Sequence, residues 1–242
     1  MKIIKKTIKY ILYILHIDIT QNQKYDRQTL QIMRKVIKNK SNCVDVGCHK
    51  GEMLDVMLEL APEGSHYAFE PIPYMHEALT EKYKNRPVNI SAVALSEEKG
   101  KASFNIVKNA PAYSGFRQRQ YDVSVPEIEE VVVLTDALDN IVPSNVLIDF
   151  VKIDVEGAEY GVIKGAVNLL QRCKPTMVFE FGMGASDFYE TKPEMIYYLL
   201  VKDCGLKINT LKGWLNKSDE LSFERFCEIY DNNLEYYFIA YN

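Results

Sequence analysis

The segment from Val44 to Gly51, VDVGCHKG, constrains the fold of this chain more than any other. The apolar residues from Ser41 to Val46 predict a buried β-strand, and Gly47 and Gly51 allow a tight turn. Residues Glu52 to Leu60 follow with the apolar spacing of a helix. A strand, a glycine turn and a helix in this order form the kind of crevice in which α/β proteins bind nucleotides. Ordinary strand–helix junctions show the same pattern, so the assignment depends on the sequence that follows.

The overall composition limits the classes of protein to which the chain can belong. Its 242 residues suffice for one domain with a full hydrophobic core. With 29 basic and 33 acidic residues the net charge is -4, so the basic character of a nucleic-acid-binding protein is missing and no nucleic-acid partner is expected. The five cysteines form no Cys-x-x-Cys pair, which argues against a disulfide framework and a zinc site. We therefore predict a location in the reducing cytoplasm.

The first 19 residues are unusual in composition. Four lysines are interleaved with isoleucines before the apolar run Tyr10 to Leu15, which is far shorter than the roughly 20 residues that span a bilayer. No cleavage site of a signal peptide follows. Such a helix either lies on the anionic inner face of a membrane or packs on the domain or on a second subunit of a homodimer, and we favour packing. Because residues 26–39 predict another amphipathic helix, we divide the chain into a helical extension, residues 1–40, and a domain, residues 41–242.

A second candidate site residue, Glu70, follows the next predicted strand. That strand runs from His66 to Glu70, and the prolines after it precede a helix predicted from Tyr74 to Tyr83. Glu70 lies 25 residues after Asp45, close to the separation of about 20 residues at which nucleotide-binding folds place a carboxylate on the ribose. We predict that Glu70 binds ribose hydroxyls, the alternative being a surface acid at a strand end.

The remaining pattern continues the alternation of strands and helices. The apolar strand before Asp154 and Glu156 places both acids on the same sheet edge as Asp45 and Glu70. We expect a sheet that begins parallel and ends with a late hairpin-like pair. The further predicted strands are Val88 to Leu95, Lys101 to Val107, Glu130 to Leu134, Val146 to Ile153, Thr176 to Phe181, Leu206 to Leu211 and Tyr236 to Tyr241, and the further helices are Glu159 to Leu170 and Glu194 to Cys204.

A long connection from Lys108 to Glu129 interrupts this alternation. Connections of this length inside a compact domain are functional or disordered. We interpret it as a lid or an acceptor-binding insertion, with disorder as the alternative. Arg117 and Arg119 within it suggest an anionic group on the acceptor, the alternative being a solvated basic loop.

Taken in order, these segments resemble the FkbM family of S-adenosylmethionine-dependent methyltransferases over about residues 42–241. The resemblance implies the Rossmann-like α/β fold of class I methyltransferases, which is a seven-stranded, mostly parallel sheet with one antiparallel strand and helices on both faces. It also implies O-methylation, frequently of sugars or polyketide-like natural products. The segments that carry it are Val44 to Gly51, Phe69-Glu70-Pro71, Ala92 to Ser96, Lys152 to Glu159 and Val178 to Phe181.

The residues themselves favour the same cofactor over a dinucleotide. Gly47 and Gly51 are spaced G-x-x-x-G, whereas dinucleotide sites use G-x-G-x-x-G to approach a pyrophosphate. S-Adenosylmethionine carries a sulfonium and an ammonium, so a turn edged with acids suits it better. We expect Asp45 to hold the ammonium and Glu70 the ribose. The other predicted cofactor contacts are the backbone of Gly47 and Cys48 at the methionine end, Val93 and Ala94 at the adenine, the turn residue Gly51, whose role is structural, and Asp154, where cofactor and acceptor meet.

Candidate catalytic residues follow from the same sheet edge. Asp154 is expected to orient the acceptor or to take its proton, with Glu156 as the second choice and His49 and Glu180 as further candidates. Glu156 could instead cap the following helix, and His49 could only line the turn. Without a histidine-rich ligand set, we predict no metal site.

The sequence therefore predicts an O-methyltransferase that uses S-adenosylmethionine to methylate a sugar or glycoconjugate, in polysaccharide biosynthesis. Two alternatives stay open. One is an O-methyltransferase of a small secondary metabolite, and the other is a non-catalytic cofactor-binding scaffold that keeps the fold.

Overall fold

A computed structural model describes residues 20–121 and 123–242. Its centre is a seven-stranded sheet with the order β3-β2-β1-β7-β8-β10-β9. The strands of this sheet are β1 (Cys43–Val46), β2 (His66–Phe69), β3 (Val88–Ser91), β7 (Phe150–Ile153), β8 (Thr176–Glu180), β9 (Lys207–Thr210) and β10 (Tyr237–Tyr241). Strand β10 is antiparallel to both of its neighbours, and the other pairs are parallel. This confirms the predicted mostly parallel sheet with one antiparallel strand.

Helices cover both faces of the sheet. The helices are α1 (Gln21–Val36), α2 (Glu52–Leu60), α3 (Pro73–Tyr83), α4 (Leu138–Ile141), α5 (Glu159–Lys164), α6 (Val167–Cys173), α7 (Pro193–Tyr197), α8 (Leu211–Leu215) and α9 (Phe223–Asp231), with a π-helical segment at Tyr198–Asp203 and 3-10 turns at Pro111–Tyr113 and Ser186–Tyr189. Side chains alternate between two cores along each strand. Val44 and Val46 join the core with α5, α6, α7 and α9, whereas Cys43 joins the core with α1, α2 and α8.

A smaller three-stranded sheet lies beside the carboxyl ends of the main strands. It consists of β4 (Ala94–Leu95), β6 (Ile128–Asp136) and β5 (Gly100–Val107), in that order. The prediction of one strand from Val88 to Leu95 is therefore wrong. The backbone turns after Ser91, whose hydroxyl accepts a hydrogen bond from Val93 N (3.3 Å), and Leu95 pairs with β6 instead.

The predicted helix from Glu159 to Leu170 is also divided, into α5 and α6. A side chain at Gly165 would place its Cβ 2.1 Å from Ser96 O, so the backbone approaches the β4–β5 turn too closely for any other residue. The break brings α5 against the smaller sheet.

Helix α1 packs directly on the sheet. It begins at Gln21, five residues before the predicted start at Asp26, with a capping box at Thr20, and buries Tyr25, Ile32 and Met33. The Tyr25 ring stacks on Tyr237 of β10 at 5.0 Å, which fixes the helix beside the carboxyl edge of the sheet. The predicted domain boundary after residue 40 stays a prediction, although α1 shares a core with the residues beyond it.

The predictions for residues 1–19, a membrane-surface helix or a subunit contact, lie outside the described residues. Within residues 20–121 and 123–242, no helix combines the length and the apolar character that crossing a membrane requires.

Candidate active site

A cleft of about 580 Å³ opens at the carboxyl ends of β1, β2 and β7. Nine of the eleven candidate site residues line it: Asp45, Gly47, Cys48, His49, Glu70, Val93, Ala94, Asp154 and Glu156. Of the other two, Glu180 lies next to Asp154 and Glu156. Gly51 lies behind the turn, where its carbonyl accepts a hydrogen bond from the Tyr83 hydroxyl (2.9 Å). The candidate residues at the ends of different strands therefore meet in one cleft, as the sheet topology predicts.

Gly47 joins the ends of two strands. Its φ is +75°, and a Cβ there would lie 1.9 Å from Asp154 O, so only glycine lets β1 and β7 approach this closely. The Gly47 and Cys48 amides both donate to Phe69 O (3.0 and 3.1 Å), which ties the turn to β2. These two amides are therefore engaged within the chain, although both residues line the cleft.

Glu70 is held by two backbone amides. Its Oε2 accepts from His49 N (2.9 Å) and its Oε1 from Ile72 N (3.0 Å). Each oxygen keeps lone pairs for a further donor in the cleft. Burial raises the pKa of Glu70 to about 7 despite these bonds. A carboxylate arranged in this way can accept hydrogen bonds from two neighbouring hydroxyls.

Asp45 is a buried acid near the end of β1. Its residue is 1% exposed, and among the described residues neither of its oxygens has a hydrogen-bond partner. The ammonium of Lys152 lies nearby, with Nζ 3.9 Å from Oδ1. Burial raises the pKa of Asp45 to about 6. Because an unpartnered buried carboxylate is costly, this position is suited to a positively charged hydrogen-bond donor.

Asp154 is firmly held at the end of β7. Its Oδ2 accepts from Lys152 Nζ (3.0 Å) and from the Tyr237 hydroxyl (2.8 Å). Burial alone would raise the pKa of Asp154, but Lys152 and the hydrogen bonds from Tyr237 and Glu180 together outweigh burial, and the pKa lies below its ordinary value. Asp154 is therefore an ionised and oriented acceptor of hydrogen bonds, and a weak base.

Two more carboxylates lie next to Asp154. Asp154, Glu156 and Glu180 each offer an oxygen within 4.8 Å of the others. Desolvation, together with the negative charge of Asp154, raises the pKa of Glu180 well above its ordinary value. Three such groups can hold a hard cation. Lys152 and Arg119 already pair with two of them, and the predicted absence of a metal stays a prediction.

The Glu156 side chain pairs with Arg119 rather than with a helix start. The acid that binds the amides before α5 is Glu159, whose Oε1 accepts from Val155 N (3.0 Å) and Gly157 N (3.2 Å). The capping alternative for Glu156 is therefore wrong. Its φ of +61° belongs to the sharp turn that follows β7.

The long connection covers one side of the cleft. Its residues Pro111, Ala112, Ser114 and Phe116 line the cleft. Arg119 donates to Gly184 O (3.3 Å) and lies over the Tyr113 ring (4.9 Å). Because Arg119 is paired with Glu156, it is not a ready site for an anionic acceptor group. Exposed Arg117 donates through Nη1 to Phe188 O (3.2 Å).

Several residues of the cleft were not predicted as site residues. Lys152 lies within a predicted strand. A charged residue inside a buried strand needs a partner, and this signal could have identified Lys152 as a site residue. Asp26 and Leu30 reach the cleft from α1, and Phe104 and Phe116 form its apolar end. Nothing in the local pattern of these four residues indicates a shared site.

Comparison with known proteins gives a family and a fold. A family model described as the methyltransferase FkbM domain matches residues 45–208. The solved methyltransferase FkbM from Methylobacillus flagellatus KT aligns at 14% identity and a TM-score of 0.53, over 85% of this chain and 44% of that protein. This chain thus spans less than half the length of that relative. A comparison with curated proteins gives no match.

Two further solved structures align over most of the chain. Fibrillarin from Aeropyrum pernix, solved with natively bound S-adenosyl-L-methionine, aligns at 14% identity and a TM-score of 0.46, over 89% of this chain and 74% of its own. A SAM-dependent methyltransferase from Aquifex aeolicus aligns at 11% identity and a TM-score of 0.44, over 89% and 88%.

Proposed function

Because the chain belongs to the FkbM methyltransferase family, whose cofactor is S-adenosylmethionine, we propose that it methylates a hydroxyl of a sugar or glycoconjugate. The observation that supports this acceptor class is the pair of acids Asp154 and Glu156 that line the cleft, with Glu180 next to them. Carboxylate oxygens accept hydrogen bonds from hydroxyls, and a sugar presents several hydroxyls close together. The proposed chemistry is therefore O-methylation.

The residues of the cleft fit the cofactor. Asp45, whose two oxygens have no hydrogen-bond partner in the part of the chain that the structure describes, suits the ammonium of the methionine part. Glu70, with each oxygen bound to one amide, suits the two ribose hydroxyls. The apolar end at Ile72, Ala94 and Phe104 suits the adenine. When bound, S-adenosylmethionine supplies a methyl group activated by a positively charged sulfur.

Asp154 has a positioning role in this proposal. It is fixed by Lys152 and Tyr237, so its remaining lone pairs can hold an acceptor hydroxyl in one orientation. Alignment of this kind contributes about 7 to 11 kcal/mol in favourable cases. The lowered pKa of Asp154 makes proton removal the smaller part of its contribution.

Replacing Asp154 with asparagine is expected to lower turnover about 100-fold, because the amide binds an acceptor hydroxyl more weakly and takes no proton. Cofactor affinity should change much less. Calorimetric binding of S-adenosylhomocysteine and methyl transfer from labelled S-adenosylmethionine separate the two effects. Asp55→Asn, at an exposed acid behind the turn, is the control. Unchanged turnover in Asp154→Asn would contradict the assignment.

Cofactor binding is expected to weaken as the pH falls. Burial raises the pKa of Asp45 to about 6 and that of Glu70 to about 7, and both groups bind the cofactor as carboxylates. Protons therefore compete with the cofactor below these values. Between about pH 8 and about pH 5 the affinity should fall about tenfold from Asp45 alone and further from Glu70. Calorimetry with S-adenosylhomocysteine measures this, and Asp45→Asn should remove the step near pH 6. A pH-independent affinity would contradict both roles.

The acceptor class is tested by methyl transfer to a panel of glycans and of small hydroxylated metabolites, with product analysis by mass spectrometry. The proposal predicts a methyl-sized mass increase on a sugar hydroxyl. Transfer to the small metabolites alone would overturn the sugar assignment. Cofactor binding without transfer to any acceptor would favour the scaffold alternative.

A further inference from the structure

A second groove lies on the other side of the cleft wall. It has a volume of about 470 Å³ and runs between the β4–β5 turn and α5. Leu95 and Phe116 line both the cleft and the groove, and the chain passes from one to the other between Glu156 and Gly157. The groove therefore adjoins the part of the cleft that contains Glu156.

The side chains of the groove are of the kind that bind carbohydrate. Phe116, Tyr160 and Tyr189 supply aromatic surface, on which the apolar face of a sugar ring can pack. Exposed Lys101 and Glu98 at the rim supply a hydrogen-bond donor and an acceptor for hydroxyls. The volume falls in the range of about 300 to 1,000 Å³ that is typical of small-molecule sites.

Gly161 lines the groove and adds no side chain to it. It lies inside α5, where glycine is less stable than alanine. Its backbone does not have a positive φ, and a Cβ there would be in ordinary van der Waals contact with Glu97 N and Ser96 Cα, both at 4.0 Å. The fold therefore has room for the methyl group of an alanine. This differs from Gly165, four residues later, where the close approach of Ser96 requires glycine.

We propose that this groove is a second carbohydrate subsite, which binds the sugar unit adjoining the one that is methylated. The inference rests on the proposed sugar O-methyltransferase activity and adds to it that the enzyme prefers an acceptor of at least two sugar units. Gly161 adds no side chain to the groove, and Tyr160 lies beside it in sequence and in the groove.

The test compares short and longer acceptors. Methyl glycosides of glucose, mannose and rhamnose are compared with the matching disaccharides in the wild-type chain and in Gly161→Ala and Gly161→Leu. The disaccharide that is methylated should exceed its monosaccharide in kcat/KM by about tenfold or more. This advantage should decrease in Gly161→Ala and disappear in Gly161→Leu, with monosaccharide kinetics unchanged.

Two controls distinguish a change in the groove from a loss of folding. Alanine favours helix and its methyl group has room, so the melting temperature should not fall in Gly161→Ala. The melting temperature of Gly161→Leu is measured alongside to show that this variant stays folded. Lys202→Leu adds the same side chain at an exposed helical position away from the groove and should leave the disaccharide advantage intact. An unchanged advantage in Gly161→Leu, or equal use of both acceptors by the wild-type chain, overturns the subsite alone. Methylation of none of the sugars overturns the proposed function as well.

Discussion

Replacing Glu70 with alanine is expected to weaken S-adenosylmethionine binding by about 100-fold or more, while turnover at saturating cofactor changes much less. Hydrogen bonds to a charged group contribute about 1.5 to 3 kcal/mol each, and the variant loses two of them. Both Glu70 oxygens are already oriented by the His49 and Ile72 amides, so binding does not have to order this side chain. Isothermal titration calorimetry measures the change directly.

Two comparisons separate loss of the ribose contact from disruption of the turn. Glu70→Gln keeps the shape and one acceptor oxygen, and its loss of affinity should be intermediate. The ligand 5′-methylthioadenosine keeps the ribose but lacks the amino acid. Glu70→Ala should weaken its binding as well, whereas Asp45→Asn should not. Equal cofactor affinity in Glu70→Ala and the wild-type chain would refute the ribose assignment.

The sequence could predict this half of the site because its residues come from the ends of parallel strands. Glu70 and Asp154 each follow an apolar strand and Asp45 lies near the end of one, and such ends share one edge of the sheet. The register pairs Asp45 with Lys152 and Ala68, so Asp154 and Glu70 each follow two residues beyond the level of Asp45 on the neighbouring chains. Local pattern and topology are sufficient for this part.

The other half of the site depends on contacts that a local pattern does not contain. Tyr237 reaches Asp154 only because β10 inserts, antiparallel, between β8 and β9. Asp26 lines the cleft because α1 packs against β10 through Tyr25. Arg119 suggested an anionic acceptor, but its partner Glu156 is brought to it by the folding of the long connection. Each contact joins elements that are distant in the sequence.

Errors in the predicted elements have the same origin. Residues 159–170 have helical apolar spacing throughout, and only the approach of Ser96 to Gly165 shows why the helix divides. Ala94 and Leu95 belong to the predicted strand from Val88 to Leu95, but their partners are Thr135 and Asp136 of β6, about 40 residues later in the chain. Local propensity predicts whether a segment is a helix or a strand, whereas tertiary contacts determine where it begins and ends and which element it pairs with.

Replacing Lys152 with methionine is expected to lower the free energy of unfolding by about 3 kcal/mol near neutral pH, because it leaves the buried carboxylates without their counter-charge. Lys152 is 9% exposed at its side chain and pairs with Asp154 (3.0 Å) and Asp45 (3.9 Å). Burial opposes its charge, but these two carboxylates outweigh burial and raise the pKa of Lys152. Urea unfolding measures the loss.

The pH dependence identifies the cause of this loss. The pKa of Asp45 is already raised to about 6 by burial, and it should rise further without the ammonium. A carboxyl whose pKa is raised on folding costs stability above that pKa and not below its unfolded value. The deficit of Lys152→Met should therefore shrink as the pH falls from about 8 to about 5, and Asp154→Asn added to it should restore part of the loss.

A matched control distinguishes buried from exposed charge. Lys82 pairs with Asp55 at 2.7 Å, but the two side chains are 41% and 51% exposed. Lys82→Met should therefore cost less than about 1 kcal/mol and show little dependence on pH. Equal losses in the two variants would mean that Lys152 stabilises the fold through its alkyl chain alone. The carboxylates of the cleft would then be balanced by another charge, and the orientation of Asp154 would not depend on this lysine.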